Sequence, residues 1–425
     1  MTDTGAPFDP LTASGASTTG PAARGSVVRV GAATAMIALC GYAVLYLAAR
    51  DLEPAGFSLF AVFWGAFGLV SGATGGLLQE ATRETRSVAH GDTRRGPHTR
   101  PMWVAAGVGV VSAAVIALSS PLWSGHVFVE LRWLSVALLA TGLAGFCLHS
   151  TLLGMLAGRD RWTAYGSLMV TDAGLRLLVA VASFVIGWGL AGYLWATVAG
   201  AIAWILMLIA SPASRRAATI LTPVSTATFL RGAFHSITAA SASAILVMGF
   251  PVLLQATSGD LGAVGGIVIL AVTLTRAPLL VPLTAMQGNL VAHFVDQRTH
   301  RVRALMTPAA VVLGMGLLGV LAAGTAGPWL LRSAFGPDYR ADGALLAWLT
   351  AGAIAIALLT LTGAAAVAAA LHRAYALGWV SATVASTLLL LLPLGLETRT
   401  VIALLCGPAV GIAVHLFALS REPAS

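Results

Sequence analysis

Lysine does not occur in this chain of 425 residues; all 24 of its basic side chains are arginine. A nucleotide-binding P-loop reaches its phosphates with a lysine, so the sequence holds no ATPase of that kind. Charge of either sign is scarce: acidic and basic residues together are 9% of the chain, against roughly 25% in a soluble domain. So few charges cannot cover a globule, and the solvent of this chain is therefore lipid. Cysteine is nearly missing too. Cys40, Cys147 and Cys406 each lie inside an apolar run, without metal-ligand or disulfide spacing, so no metal and no cofactor is expected. The net charge of +8 does not point to nucleic acid, because the arginines occupy short loops between apolar runs, where they set topology.

What the chain has in abundance is apolar surface, with 58% hydrophobic residues and a mean hydropathy of +0.88. Residues 1–25 are small, polar and rich in Pro and Gly, and are expected to be a disordered tail. With about 20 residues needed per crossing, the remainder divides into twelve spans: 27–49, 57–78, 102–119, 133–156, 164–187, 189–210, 233–255, 263–292, 308–330, 344–371, 374–394 and 399–419. The tail and the even-numbered loops carry 17 arginines; the odd-numbered loops carry five, Arg50, Arg132, Arg332, Arg340 and Arg399. Basic loops stay on the cytoplasmic side, so both termini are expected to be cytoplasmic and the protein to sit in the cell membrane. The remaining two, Arg176 and Arg276, fall within spans.

The punctuation of the chain repeats at an interval of about 210 residues. Arg29 leads into span one and Arg231 into span seven; "ARDLEPAGF" (49–57) answers to "SGDLGAVGG" (258–266). "LLQEATRETR" (77–86) closes span two as "AMQGNLVAHFVDQR" (285–298) closes span eight, and Tyr165 in "GRDRWTAYG" corresponds to Tyr375 in "ALHRAYALG". Six spans per half leave both halves in the same orientation, as parallel repeats about an axis along the membrane normal. The expected fold is therefore all-α: a polytopic membrane protein of about twelve transmembrane helices in two parallel six-helix lobes (26–215 and 216–425) around a central cavity. Rocking of one lobe on the other would expose that cavity to each side in turn. Gln79 and Arg83 at the close of span two, and Gln287, Asn289 and His293 at the close of span eight, are candidate cavity residues.

The stretch "YLAARDLEPAGFSLFAVFWGAFGLVSGATGGLLQEATR" (46–83) resembles the first two helices of polysaccharide-type transporters in the multidrug/oligosaccharidyl-lipid/polysaccharide flippase superfamily. "LRSAFGPDYRADGALLAWLTAG" (331–352) is similar to that family's loop into helix ten, and "GRDRWTAYG" (158–166) to its turn into helix five. The resemblance implies export or flipping of a lipid-linked oligosaccharide, with the lipid-linked glycan as substrate and glycan polymerases or glycosyltransferases as possible partners. It also implies that helices one, two, seven and eight line the cleft.

Arg276, near the middle of span eight and just before Pro278 and Pro282, would then offer a permanently charged planar donor to a phosphate. Its other reading is an arginine satisfied by carbonyls between helices. Asp172 and Arg176 stand four apart in span five, the spacing and order of an intrahelical ion pair. That pair is either structural or an ion-coupling site. His149, His235 and His415 read as interhelical hydrogen-bonders, and "GLVSGATGG" (68–76) as a surface for close helix packing. The chain lacks the Gly-x-x-x-Asp-Arg-x-Gly-Arg pattern of major-facilitator carriers. An ion-coupled, drug-type antiporter is the nearer alternative to the flippase. A membrane glycan polymerase or glycosyltransferase is a further one, disfavoured by outer loops of about a dozen residues with no paired carboxylates.

Overall fold

A computed structural model of the protein describes residues 21–89, 98–286, 290, 293–294, 301–369 and 371–421. Among these residues the structure is helical, with one isolated bridge between Thr99 and Thr222. Spans one to six are Pro21–Asp51, Glu53–Ala73 continued by Gly75–Ala89, Pro101–Val127, Arg132–Gly158, Trp162–Ile186, and Gly189–Ala199 continued through a 3-10 turn (Gly200–Ile202) by Ala203–Ala210. A linker helix, Pro212–Ala218, comes next. Span seven is Thr226–Val247 with Phe250–Ser258, then come Gly262–Ala285, Met306–Phe335, Gly343–Ala368, His372–Leu390 and Leu396–Arg421.

Ten of these helices are long and apolar enough to cross a bilayer individually, and span seven makes an eleventh across a 63° bend. Span eleven completes the twelve at 19 residues. Its polar start, His372 and Arg373, and its Ser and Thr content make it the least apolar of the set. Span two extends from Glu53 to Val88, further at both ends than the apolar run expected from the sequence. Its last turns leave the apolar run but stay helical because Leu77 and Ala81 are buried against span four.

The packing repeats as the sequence does. In the first lobe span one packs on five, two and three on four, four on six, and five on six. In the second, seven packs on eleven, eight and nine on ten, ten on twelve, and eleven on twelve. Each of these five pairings recurs six spans later, and with six spans per lobe the two lobes run parallel. Spans four and ten lie at the heart of their lobes, whereas spans three and nine turn Leu118, Leu122, Leu317, Leu318 and Leu321 outward. Such a ring of exposed aliphatics is the surface that lipid chains solvate.

Candidate functional site

The lobes meet unevenly. Span one begins and span twelve ends at the same end of the bundle, the terminal end; the opposite one is the far end. Along most of the length of span two, Gly65, Gly68, Gly72 and Gly76 face span seven. At Gly76 a β-carbon would lie 2.2 Å from the backbone nitrogen of Ile237, so only glycine lets the two backbones come this close. Span one, by contrast, touches span eight lightly. The lobes are thus joined mainly through span two, which packs on both seven and eight, and only lightly through span one.

At the far end the lobes are joined by aromatic rings. Tyr339, in the turn between spans nine and ten, donates its hydroxyl to the Ala49 carbonyl at 2.9 Å and meets the Phe57 ring edge-on. Tyr46 packs on Phe335, and Phe60 on Tyr193. Pro54 presents its carbonyl to span eight where Gly266 leaves room for it. Burial, with the nearby Asp338 and Glu53 charges, pushes the Tyr339 phenol above its ordinary range, so it stays a neutral donor.

Arg276 lies inside this arrangement and is 7% exposed. Its place is set by span seven. Within a regular helix the carbonyl of Val247 would accept from residue 251, but that residue is Pro251, which has no N–H. The helix breaks there, at Met248 and Gly249. Arg276 Nη1 donates to the orphaned Val247 carbonyl at 3.2 Å, and the guanidinium stacks over Phe250 at 5.1 Å. Of the two placements open from the sequence, the structure has the arginine bound to an interhelical carbonyl and not exposed in a passage. Its Nε and Nη2 are buried, without a partner among the described residues.

Asp172 and Arg176 form the i,i+4 pair, with Arg176 Nε and Nη2 on Asp172 Oδ1 at 3.1 and 3.0 Å. The pair sits on the 3-10 turn of span six. A β-carbon on Gly200 would fall 1.7 Å from Asp172 Oδ1, and Arg176 Nη1 donates to the Thr197 carbonyl. Phe67 and Phe146 present their faces to the guanidinium, and Phe146 also stacks on buried His149. Both charged side chains are 14% exposed, so the pair is largely enclosed by four spans. The sequence did not single out Gly200, Thr197 or Phe67. A Gly one residue before an Ala-Ile turn in an unbroken apolar run carries no visible sign of what it accommodates.

The close of span two separates into two faces. Gln79 is exposed. Arg83 is largely exposed but bridges Glu80 at 2.7 Å and Glu84 at 3.0 Å. Glu80 and Glu84 are both buried, and Glu80 is turned to span seven, where Gly232 makes space for its carboxylate. This buried acid was missed from the sequence, where Glu80 looked like one more charge in a polar helix end. His293 is exposed and meets the edge of Phe294; Gln287 and Asn289 lie outside the described residues. No described contact joins Arg276 to Gln79, Arg83 or His293. His415 bonds Thr362 and the Tyr375 carbonyl across helices.

A lateral crevice of about 240 Å³ opens beside the seam, lined by Ala66, Leu69, Val70, Ile116, Trp123 and Val252 among others. It is almost wholly apolar and takes residues from both lobes.

The fold is similar to that of solved transporter structures described as belonging to the MOP superfamily. The chain superposes with a TM-score of 0.71 on a solved structure described as the inward-facing conformation of a multidrug resistance MATE family transporter of that superfamily, at 14% identity over 93% of this chain and 98% of the other. The outward-facing conformation of a multidrug resistance MATE family transporter gives 0.61, at 16% identity over 94% and 97%. A MOP superfamily transporter from Pyrococcus furiosus, reported with a binding pocket of reversed polarity, also gives 0.61, at 15% identity over 93% and 95%. In sequence the chain belongs to the family of two Mycobacterium tuberculosis (strain ATCC 25618 / H37Rv) proteins. It is 70% identical to "Uncharacterized protein Rv1510" over all of this chain and 96% of the relative, and 68% identical to "Uncharacterized protein Rv3630" over 99% and 98%. "Uncharacterized protein Mb3654" of Mycobacterium bovis (strain ATCC BAA-935 / AF2122/97) is 69% identical over 99% and 98%. No family model matches the chain.

Proposed function

We propose that the protein is an ion-coupled membrane exporter that works by alternating access and carries a small amphipathic molecule. The observation that carries this reading is the Asp172–Arg176 pair, an acid and a base largely enclosed by four spans of the first lobe. Ionisable residues inside a membrane are costly and mark ion pathways by default. A proton or sodium ion taken by Asp172 would release Arg176, and the lobe would then repack around Gly200. Arg276 is the proposed anion contact of the cleft, since two of its nitrogens are left to a partner that arrives when the lobes move. The terminal end is taken as cytoplasmic and the membrane as the cell membrane, on the arginine bias of the loops.

In proteoliposomes with an imposed proton or sodium gradient, wild type should drive uptake or release of a fluorescent amphipathic ion. Asp172→Asn should abolish the gradient-driven component. Unchanged transport by that variant removes Asp172 from the mechanism.

A second reading is the flipping of a lipid-linked glycan, with glycan-assembling enzymes as partners. The lateral crevice favours it, because an apolar groove shared by both lobes could hold a lipid chain outside while a polar head crosses the cleft. Deletion of the protein would then leave a lipid-linked glycan on the cytoplasmic leaflet, whereas normal appearance of every surface glycan would count against this reading.

A further inference from the structure

Away from the cleft, at the terminal end of the first lobe, the turn between spans four and five faces the linker helix. A hollow of about 190 Å³ lies between them, lined by Arg159, Arg161, Ala213, Arg216, Ala217 and Ile220. Three arginines thus border one small space, and among the described residues none of them has a hydrogen-bond or ion-pair partner for its side chain. The acids nearby are engaged elsewhere. Asp160 stands between two of the arginines in sequence, but its left-handed backbone (φ +55°) belongs to a turn in which the carboxylate pairs with Arg86 at 3.6 Å. Glu80 and Glu84 are held by Arg83. Arg215, adjacent to Arg216, is used structurally, donating to the Leu208 and Ile209 carbonyls that end span six.

Like charges gathered around a hollow repel one another, and an anion among them turns that repulsion into attraction. Guanidinium forks match phosphate oxygens in geometry as well as charge. The hollow lies where spans four and six end and span five begins, which is the level of lipid headgroups. We propose that it binds a phosphate group, and that the bound phosphate ties the linker to the first lobe. Arg159 and Arg161 come from the lobe and Arg216 from the linker, so one ligand bridges the two. Because the linker leads into span seven, occupancy would restrain the movement of the second lobe against the first. The phosphate can belong to an anionic lipid headgroup or be free in solution.

The test uses the full-length protein, purified and delipidated in neutral detergent, with thermal unfolding as the readout. Phosphatidylglycerol, phosphatidylcholine and inorganic phosphate are titrated separately into wild type, the triple variant Arg159→Gln/Arg161→Gln/Arg216→Gln, and Arg303→Gln/Arg373→Gln as a control with charge removed from the same end of the second lobe. Phosphatidylglycerol is expected to raise the melting temperature of wild type and control. The triple variant should bind about a hundredfold more weakly, as expected when three arginines each contribute about a factor of five. Stabilisation by inorganic phosphate as well, lost in the triple variant, assigns the site to a soluble phosphate. Equal stabilisation of the triple variant and wild type overturns the proposal, as does an equal loss in the control, which would mean a diffuse basic surface. Both variants change exposed side chains, and their melting without ligand reports whether folding is intact.

Discussion

At the scale of single residues, the clearest causal chain joins Pro251 to Arg276. A proline in span seven deprives the Val247 carbonyl of its N–H, and an arginine from span eight supplies the donor. A carbonyl left unsatisfied in the interior costs about 1–3 kcal/mol. Arg276→Met should therefore destabilise the protein by that order, and Pro251→Ala should lessen the loss by restoring a local donor. A double-mutant cycle read by thermal unfolding is expected to show a coupling of about 1 kcal/mol or more. Additive effects would mean that the two residues act separately. The sequence exposed both participants, an intramembrane arginine and a proline in an apolar run, but not their meeting. Twenty-five positions separate them, and nothing in either local pattern names the other.

At the scale of helices, glycines decide how near two backbones come. Gly76→Leu should part the seam between spans two and seven, because even the first carbon of a side chain would lie 2.2 Å from Ile237 N. A loss of about 3 kcal/mol or more is expected, since backbone must move. Gly107→Ala, at a position with nothing within 4 Å, should be neutral or gain up to about 1 kcal/mol from helix propensity. Gly200→Ala should displace the Asp172–Arg176 pair and, on the proposed mechanism, abolish ion coupling in the proteoliposome assay; preserved coupling would show that the pair tolerates relocation. The helices were largely legible because hydropathy and arginine punctuation mark them strongly. The breaks in spans two, six and seven were not. At each of them a neighbour enters from another span, Ser150 on Thr74 in span two, Asp172 on Gly200, Arg276 on Val247. The close of span two was half legible: its polarity was evident, but the burial of Glu80 depends on Gly232 more than 150 residues away.

At the scale of the molecule, the parallel repeat seen in the sequence reappears as a repeat of packing, span by span. At the far end the lobes are bonded to one another, Tyr339 of the second to Ala49 of the first and Gln255 of the second to His126 of the first. Tyr339→Phe removes one hydrogen bond worth about 0.5–1.5 kcal/mol. Spin labels placed on the outer ends of spans one and nine should then report a several-fold larger population of separated lobes. An unchanged distance distribution would show that the other far-end contacts hold the lobes together. The phenol is raised by burial, so it remains protonated where free tyrosine would begin to ionise, and the same distances should hold steady from pH 6 to about 9.

The glycine-faced join of spans two and seven acts as the spine of a book. Covers bound along one edge swing but do not slide, so on the proposed alternating-access mechanism the lobes would pivot about this join while the backbones along it stay in register.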